Sequence, residues 1–344
     1  MNITVYGIDI AKQVFHVIGL NQAGKVVVKR KLKRSQLLSF FANRIPCRLS
    51  MESCASSHYW GRELTKLGYE VKLLPGQHVK PFVRTNKNDY NDALAIAEAS
   101  ARPGMYPVSI KTIEQQDIQA LHRMRQASVA DRTALCNQVR GLLGEYGIIV
   151  NQGVCALRKA IPSILEDAEN GLTALFREML AQKQRQLQQL DEHVDYYSGK
   201  IEQQAREDEI TQRLQTIPGF GPIVASTYRS VIGDGSAFNR GRDVSASLGL
   251  VPRQHSSGGK DVLLGISKRG DKYLRSLLVH GARAVIRQAH RKDDALSRWV
   301  MRLVERRGKN KATVALANKL ARIGWVVTTR GVDYQPRQLE TAAV

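Results

Sequence analysis

Acidic residues are scarce in this sequence: its 344 residues hold 31 Asp and Glu against 52 Lys and Arg, a formal charge of +21. Such a deficit says little about fold and much about partners, because a polyphosphate chain releases counterions to a surface of that kind. Cysteine is scarce too. Cys47, Cys54, Cys136 and Cys155 are too few and too scattered for a disulfide framework or a zinc finger, and are expected as small buried residues in a reduced cytosol. The eight histidines include no HxxxH or HExxH spacing, which argues against a zinc site. No apolar run reaches the roughly 18 residues of a membrane span. The opening MNITVYGIDIAKQVF lacks a basic stretch leading into an apolar one, so no signal peptide is expected. Internal repeats are absent as well. What remains is a chain with ordinary globular composition, 43% hydrophobic and 24% charged, long enough for two or three domains, and expected in the cytoplasm facing nucleic acid.

The positive charge is unevenly placed. Residues 1–105 hold 16 basic and 7 acidic residues, net +9; residues 106–205 are net −1; residues 206–344 are net +13. A neutral middle between two basic ends predicts domains at 1–105, 106–205 and 206–330, with an aperiodic flexible tail over 331–344. In the first part, β-rich runs at Ile3–Asp9, Val14–Leu20 and Lys25–Leu32 read as an antiparallel meander. Leu37–Ala42 reads as a helix, Arg48–Met51 as a strand, Tyr59–Leu67 as a helix, Glu70–Leu74 as a strand and Asn91–Ala101 as a helix. Together they make a mixed α/β sheet. In the middle, Leu187, Leu190, Val194, Tyr197 and Ile201 are spaced 3, 4, 3, 4, the seam of a coiled coil, with Phe176 and Leu180 continuing it backwards. That seam pairs protomers, or packs within the chain on a helix over Thr112–Leu143. The last part is mostly helical, with helices at about Asp271–His290 and Ala312–Ile323.

Four carboxylates stand out in the basic first part. Asp9 ends the first strand, Glu52 ends the fourth, and Asp89 and Asp92 open a helix three residues apart, on one face. Each has a plain reading: a solvated strand end for Asp9, a partner of Arg48 for Glu52, a helix N-cap for Asp89 or Asp92. Jointly, their order predicts convergence on one point. Convergent carboxylates repel without cations between them, and hard oxygen ligands suit Mg²⁺, with Mn²⁺ as a substitute. Two such ions clamp the attacking and leaving oxygens of a phosphodiester.

The last part carries two further motifs. IPGFG, Ile217–Gly221, between apolar helices reads as a helix–hairpin–helix whose Gly219 and Gly221 offer backbone N–H groups to a phosphate, or as an ordinary packing corner. GLVPRQHSSGGK, Gly249–Lys260, sets Ser256 and Ser257 between Arg253 and Lys260 in a flexible loop suited to close approach of phosphate. Lys268, Arg269, Lys272 and Arg275 follow, as a phosphate grip or as a solvated charged face.

GIDIAK near the start, MESCASS after the fourth strand and NDYND before a helix resemble the DEDD transposases of bacterial insertion sequences, relatives of the Piv-type DNA invertases. GLVP followed by a Ser-Gly pair is similar to the C-terminal domain of the same family, and the resemblance runs in order from about residue 3 to about residue 330. It implies an RNase H fold of the RuvC-like kind for the N-terminal domain, with Asp9, Glu52, Asp89 and Asp92 as the metal-binding tetrad and Lys87 as its basic neighbour. It implies a helical coiled-coil assembly region and a mostly helical C-terminal transposase domain. Alignment on the Ser-Gly pair selects Ser257 over Ser256 as the nucleophile, attacking DNA to form a 5′-phosphoserine link. It further implies donor and target DNA as substrates, a non-coding guide (bridge) RNA, and dimers and tetramers in the bacterial cytosol or nucleoid. Two other readings stand beside it: a metal-dependent, junction-resolvase-like nuclease, which needs the tetrad but not Ser257, and a basic architectural protein, which needs neither.

Overall fold

The computed structural model describes residues 2–83 and 88–336; Lys87 and the end of the expected tail, from 337 onward, lie outside the described residues. The chain divides into two compact units, 1–114 and 115–344.

The first unit is built on a five-stranded sheet of β1 (Ile3–Ile10), β2 (Val14–Asn21), β3 (Val26–Lys33), β4 (Arg48–Glu52) and β5 (Glu70–Leu74), in the order β3-β2-β1-β4-β5. The short links after β1 and β2 make those pairs antiparallel. The links into β4 and β5 contain α1 (Leu37–Ala42) and α2 (Ser57–Lys66), long enough for parallel crossovers. Alternation along the strands then sorts the side chains. Tyr6 and Ile8, with Phe15, Val17, Leu49 and Met51, face α1 and α2 and bury Phe41, Trp60 and Leu64. Val5, Ile18 and Leu20 face the other way, against Ala93 and Ala97 of α4 (Asp89–Ala101). A four-residue helix, α3 (Gly76–Val79), links β5 toward α4.

α4 lies very close to the sheet. Its alanines leave a smooth face, and Gly7 on β1 has no Cβ to hold it off: one built there would overlap Ala93 O and stand 2.7 Å from Ala97 N and 2.8 Å from Ala97 Cβ. The helix runs so that Ala97 and Ala93 cover Gly7, and its first turn reaches the C-terminal end of β1.

The second unit is helical apart from one hairpin. α5 (Ile113–Gly144), α6 (Val154–Glu166) and α7 (Ala174–Glu207) come first. The seam read as a possible protomer contact is used up within the chain. Phe176, Leu180 and Leu187 are buried against Leu135, Val139, Leu143, Leu157 and Ile161, and Val194 and Ile201 are buried too. Arg125 Nε donates to Ser198 Oγ at 2.8 Å, and Arg132 Nη1 meets Asp191 Oδ1 at 2.9 Å, so α5 and α7 run antiparallel along their length. This is the helical hairpin, the other packing open to a 3,4 pattern.

The chain continues through α8 (Glu209–Gln215), α9 (Pro222–Ile232), α10 (Gly241–Ser247), the hairpin β6 (Pro252–Gln254) and β7 (Leu263–Ile266), α11 (Lys272–Ala289), α12 (Ala295–Arg307) and α13 (Lys309–Arg330) around one large core. After α13, Tyr334 N donates to Thr216 Oγ1 at 2.8 Å and the ring packs on that core. All four cysteines are free, but only Cys136 is buried; Cys54, in the turn after β4, and Cys155, at the start of α6, are exposed. Among the described residues no helix is long and apolar enough to cross a membrane.

Two stability predictions follow from this packing. Gly7→Ala must push α4 off the sheet and should cost about 1–3 kcal/mol, as overpacking does. Gly141→Ala, on α5 with open space around it, should be neutral or stabilising by up to about 1 kcal/mol. Equal denaturation midpoints for the two variants would contradict the close approach. The second prediction concerns His122 of α5, buried with Nε2 2.8 Å from Ser226 Oγ of α9. Burial, and then the charge of Arg125, lower its pKa from 6.5 to about 4. The unfolded chain therefore takes up the proton first. Stability is fully present above the unfolded value and is lost as pH falls toward the folded one, by about 3 kcal/mol in full. His122→Gln should remove that part of the pH dependence in thermal melts; parallel wild-type and variant profiles would refute the assignment.

Candidate active site

The ends of β1 and β4 place the first two carboxylates. The strands pair in parallel from Val5 opposite Arg48 to Ile8 opposite Met51, and Asp9 and Glu52 are the next residues on each. Both follow the alternation onto the face that α4 covers. The Cys54 thiol reports the pair: partial desolvation, then the charges of Glu52 and of Asp9, raise it above its ordinary value. The Glu52 carboxylate lies over Gly76, where a Cβ would overlap Oε1.

The approach of α4 supplies the other two. Asn88 is its N-cap, the side chain accepting from Tyr90 N at 2.9 Å, so Asp89 and Asp92 are not spent on capping. Arg48 pairs with Glu70 at 3.5 Å, so the expected plain partner of Glu52 is engaged elsewhere. Asp89 is exposed and Asp92 half-buried, both in the first turn.

Among the described residues the tightest cluster is Asp9, His16 and Asp89, whose ligand atoms all lie within 4.8 Å of one another. Glu52 and Asp92 flank this cluster by position without entering it. His16 was not anticipated as a site residue. It sits on β2 directly opposite Asp9 in the antiparallel register, and the meander reading carried that signal: a tight hairpin after Asp9 places a residue of the next strand beside it. Its Nδ1 is 3.4 Å from Asp89 Oδ2, and its ring meets the Tyr90 ring edge-on, centroids 4.7 Å apart.

In the second unit the serine loop is the tip of the β6–β7 hairpin. Ser257 O accepts from Lys260 N at 3.1 Å across Gly258 and Gly259, both with positive φ, the two-residue turn that glycines make easy. Ser256 Oγ donates to Asp261 Oδ1 at 2.8 Å and accepts from Gln254 Nε2 at 2.8 Å. Ser257 is exposed, and among the described residues its hydroxyl has no hydrogen-bond partner. Arg253 and Lys260 are exposed beside it, and Lys268, Arg269 and Lys272 are exposed farther along.

Two of the expected phosphate contacts are differently employed. Gly219 is a packing corner: a Cβ there would stand 2.8 Å from Gly281 O on α11. Gly221 stays exposed at the start of α9. Arg275 Nη1 donates to the carbonyls of Leu248 at 3.0 Å and Arg269 at 2.8 Å, tying two loops to α11. Basic side chains that the sequence reading missed line a groove of about 1440 Å³ beside the hairpin, among them Arg240, Arg242, Lys311 and Arg322, over an apolar floor that includes Leu263, Trp299 and Val326. They come from α10 and its N-cap Arg240 and from α13, far apart in sequence.

Residues 211–297 match the family model described as Transposase IS116/IS110/IS902 family, and residues 6–148 match the DEDD transposase model of the same group. The chain is 47% identical over 337 residues, 98% of it and 100% of the relative, to a probable family 20 transposase of Pseudomonas aeruginosa. It is 45% identical, over 97% of itself and 92% of the relative, to the transposase for insertion sequence element IS1111A of Coxiella burnetii. A more distant relative is the pilin gene-inverting protein of Moraxella lacunata, 34% identical over 129 residues, 36% of this chain and 38% of that one.

Proposed function

The chain belongs to the IS116/IS110/IS902 family of insertion-sequence transposases, and from that premise we propose that it cuts and rejoins DNA through Ser257, with Asp9, Glu52, Asp89 and Asp92 holding Mg²⁺ or Mn²⁺. It is thus a DNA-processing enzyme, and membership in a DEDD transposase family implies dependence on a divalent metal. The observation that carries the reading is the convergence of Asp9 and Asp89 within one small cluster, from elements 80 residues apart in sequence. The strand order β3-β2-β1-β4-β5, antiparallel for three strands and then parallel, supports an RNase H fold of the RuvC-like kind for this unit.

The residues fit the metal: carboxylate oxygens from two strand ends and one helix turn are the hard donors that Mg²⁺ and Mn²⁺ take. When bound, such ions stabilise the attacking and leaving oxygens of a phosphodiester. The Ser257 hydroxyl, free of the hydrogen bonds that occupy Ser256, loses its proton and bonds to the phosphorus, and the 3′ oxygen leaves. The phosphodiester energy is kept as a 5′-phosphoserine ester until a new 3′ hydroxyl displaces the serine. The reading requires Ser257 to be delivered to a carboxylate cluster, of its own chain or of another. Delivery from another chain would make dimers and tetramers part of the reading, and most of the Leu187–Ile201 seam is already buried within its own chain. Arg253, Lys260, Lys268, Arg269 and Lys272, with the basic groove, would grip the DNA backbone.

Ser257→Ala should leave folding and DNA binding unchanged and eliminate both strand exchange and the covalent protein–DNA adduct. Ser256→Ala should be milder. Asp9→Asn and Asp92→Asn should each abolish cleavage, as should EDTA. A denaturing gel of labelled DNA, with protease digestion as control, reads all of these. Nicking without an adduct in the wild type would point to the junction-resolvase-like nuclease, and binding without cleavage to an architectural protein.

We also infer a guide partner: a structured non-coding RNA that pairs with donor and target DNA. The two basic ends, net +9 and +13, offer more phosphate-binding surface than a short DNA site uses. Sequencing of the nucleic acid that co-purifies should return one specific RNA, released steeply with salt. Random cellular RNA, with recombination undiminished after ribonuclease treatment, would refute it.

A further inference from the structure

His16 is a buried imidazole whose Nδ1 faces the carboxylates without forming a hydrogen bond. The residue is 7% exposed, and its Nδ1 makes no hydrogen bond. Buried polar atoms are ordinarily satisfied, and leaving one unsatisfied is costly. This atom instead points into the cluster with Asp9 and Asp89, 3.4 Å from Asp89 Oδ2.

Three features hold it there. The β1–β2 register fixes His16 opposite Asp9. The edge of the Tyr90 ring packs on the imidazole, and Lys29 Nζ lies 4.4 Å from the centroid of that tyrosine. α4, which carries both Tyr90 and Asp89, is seated at Gly7. The spacing of one pair suits a shared ion: adjacent ligands at about 2.1 Å in an octahedron stand about 3 Å apart, close to the 3.4 Å between His16 Nδ1 and Asp89 Oδ2.

We propose that His16 Nδ1 is a metal ligand, joining Asp9 and Asp89 in a mixed nitrogen–oxygen site that favours a first-row transition ion such as Mn²⁺ over Mg²⁺. Imidazole nitrogen adds affinity for transition ions, whereas Mg²⁺ takes oxygen almost alone. The inference rests on the carboxylate cluster being a metal site and adds to it a nitrogen donor and an order of preference.

The test uses the full-length protein with substoichiometric Mn²⁺ and pulsed electron paramagnetic resonance, which reads the ligands directly and needs no turnover. The wild type should show the nitrogen coupling of one imidazole. His16→Asn should lose that coupling while still binding Mn²⁺, and Mg²⁺ should displace Mn²⁺ more readily from the variant than from the wild type. Asp9→Asn should abolish binding. Mn²⁺ bound to the wild type without nitrogen coupling overturns the role of His16 and leaves the carboxylate site standing. Coupling that persists in a folded His16→Asn protein overturns it too, and no Mn²⁺ binding at all overturns both. The wild-type spectrum decides even if the variant does not fold.

Discussion

The seating of α4 on β1 at Gly7 is the contact on which the first unit's carboxylate cluster depends. A helix of ordinary side chains packs well clear of a sheet; this one, alanine-faced and over a glycine, has its backbone at contact distance. The consequence appears two turns away. Asp89, which by sequence could be anywhere, is brought to Asp9 and His16. Sheet register sets Glu52 one strand over from Asp9, beside the cluster and outside it. The cluster is thus a by-product of packing, set at Gly7, Ala93 and Ala97 by small residues that carry no chemistry themselves.

Much of this was legible. Strand alternation and the positions of Asp9 and Glu52 at strand ends give the sheet and its direction, because the period-two pattern and the link lengths are local signals. The 3,4 spacing of Leu187 to Ile201 showed a buried helix face but not its partner. Which partner wins depends on whether another apolar helix lies antiparallel at short range, and α5 does, pinned by Arg125–Ser198 and Arg132–Asp191. The hairpin around the serines was hidden because its strands, Pro252–Gln254 and Leu263–Ile266, are too short and too exposed to show alternation.

Residue type misled where tertiary neighbours decide. Gly219 looks like a phosphate-binding glycine, yet what it meets is Gly281, 62 positions on. Arg275 looks like its neighbours Lys272 and Arg269, yet it alone has its guanidinium turned to backbone carbonyls. Conversely, nothing local distinguished His16 from a core histidine; only its pairing with Asp9 and its Nδ1, without a hydrogen bond and turned to Asp89, do.

At the hairpin tip, Ser256 is tethered by Asp261 and Gln254, while Ser257 stands out on a two-glycine turn. An unassisted serine hydroxyl is a feeble attacker of phosphodiesters. Under the function proposed above, Ser257 becomes an attacker only where a carboxylate cluster with its metal meets it, so binding DNA and breaking it are separate events. On that proposal the decision to cut passes from the fold to the encounter.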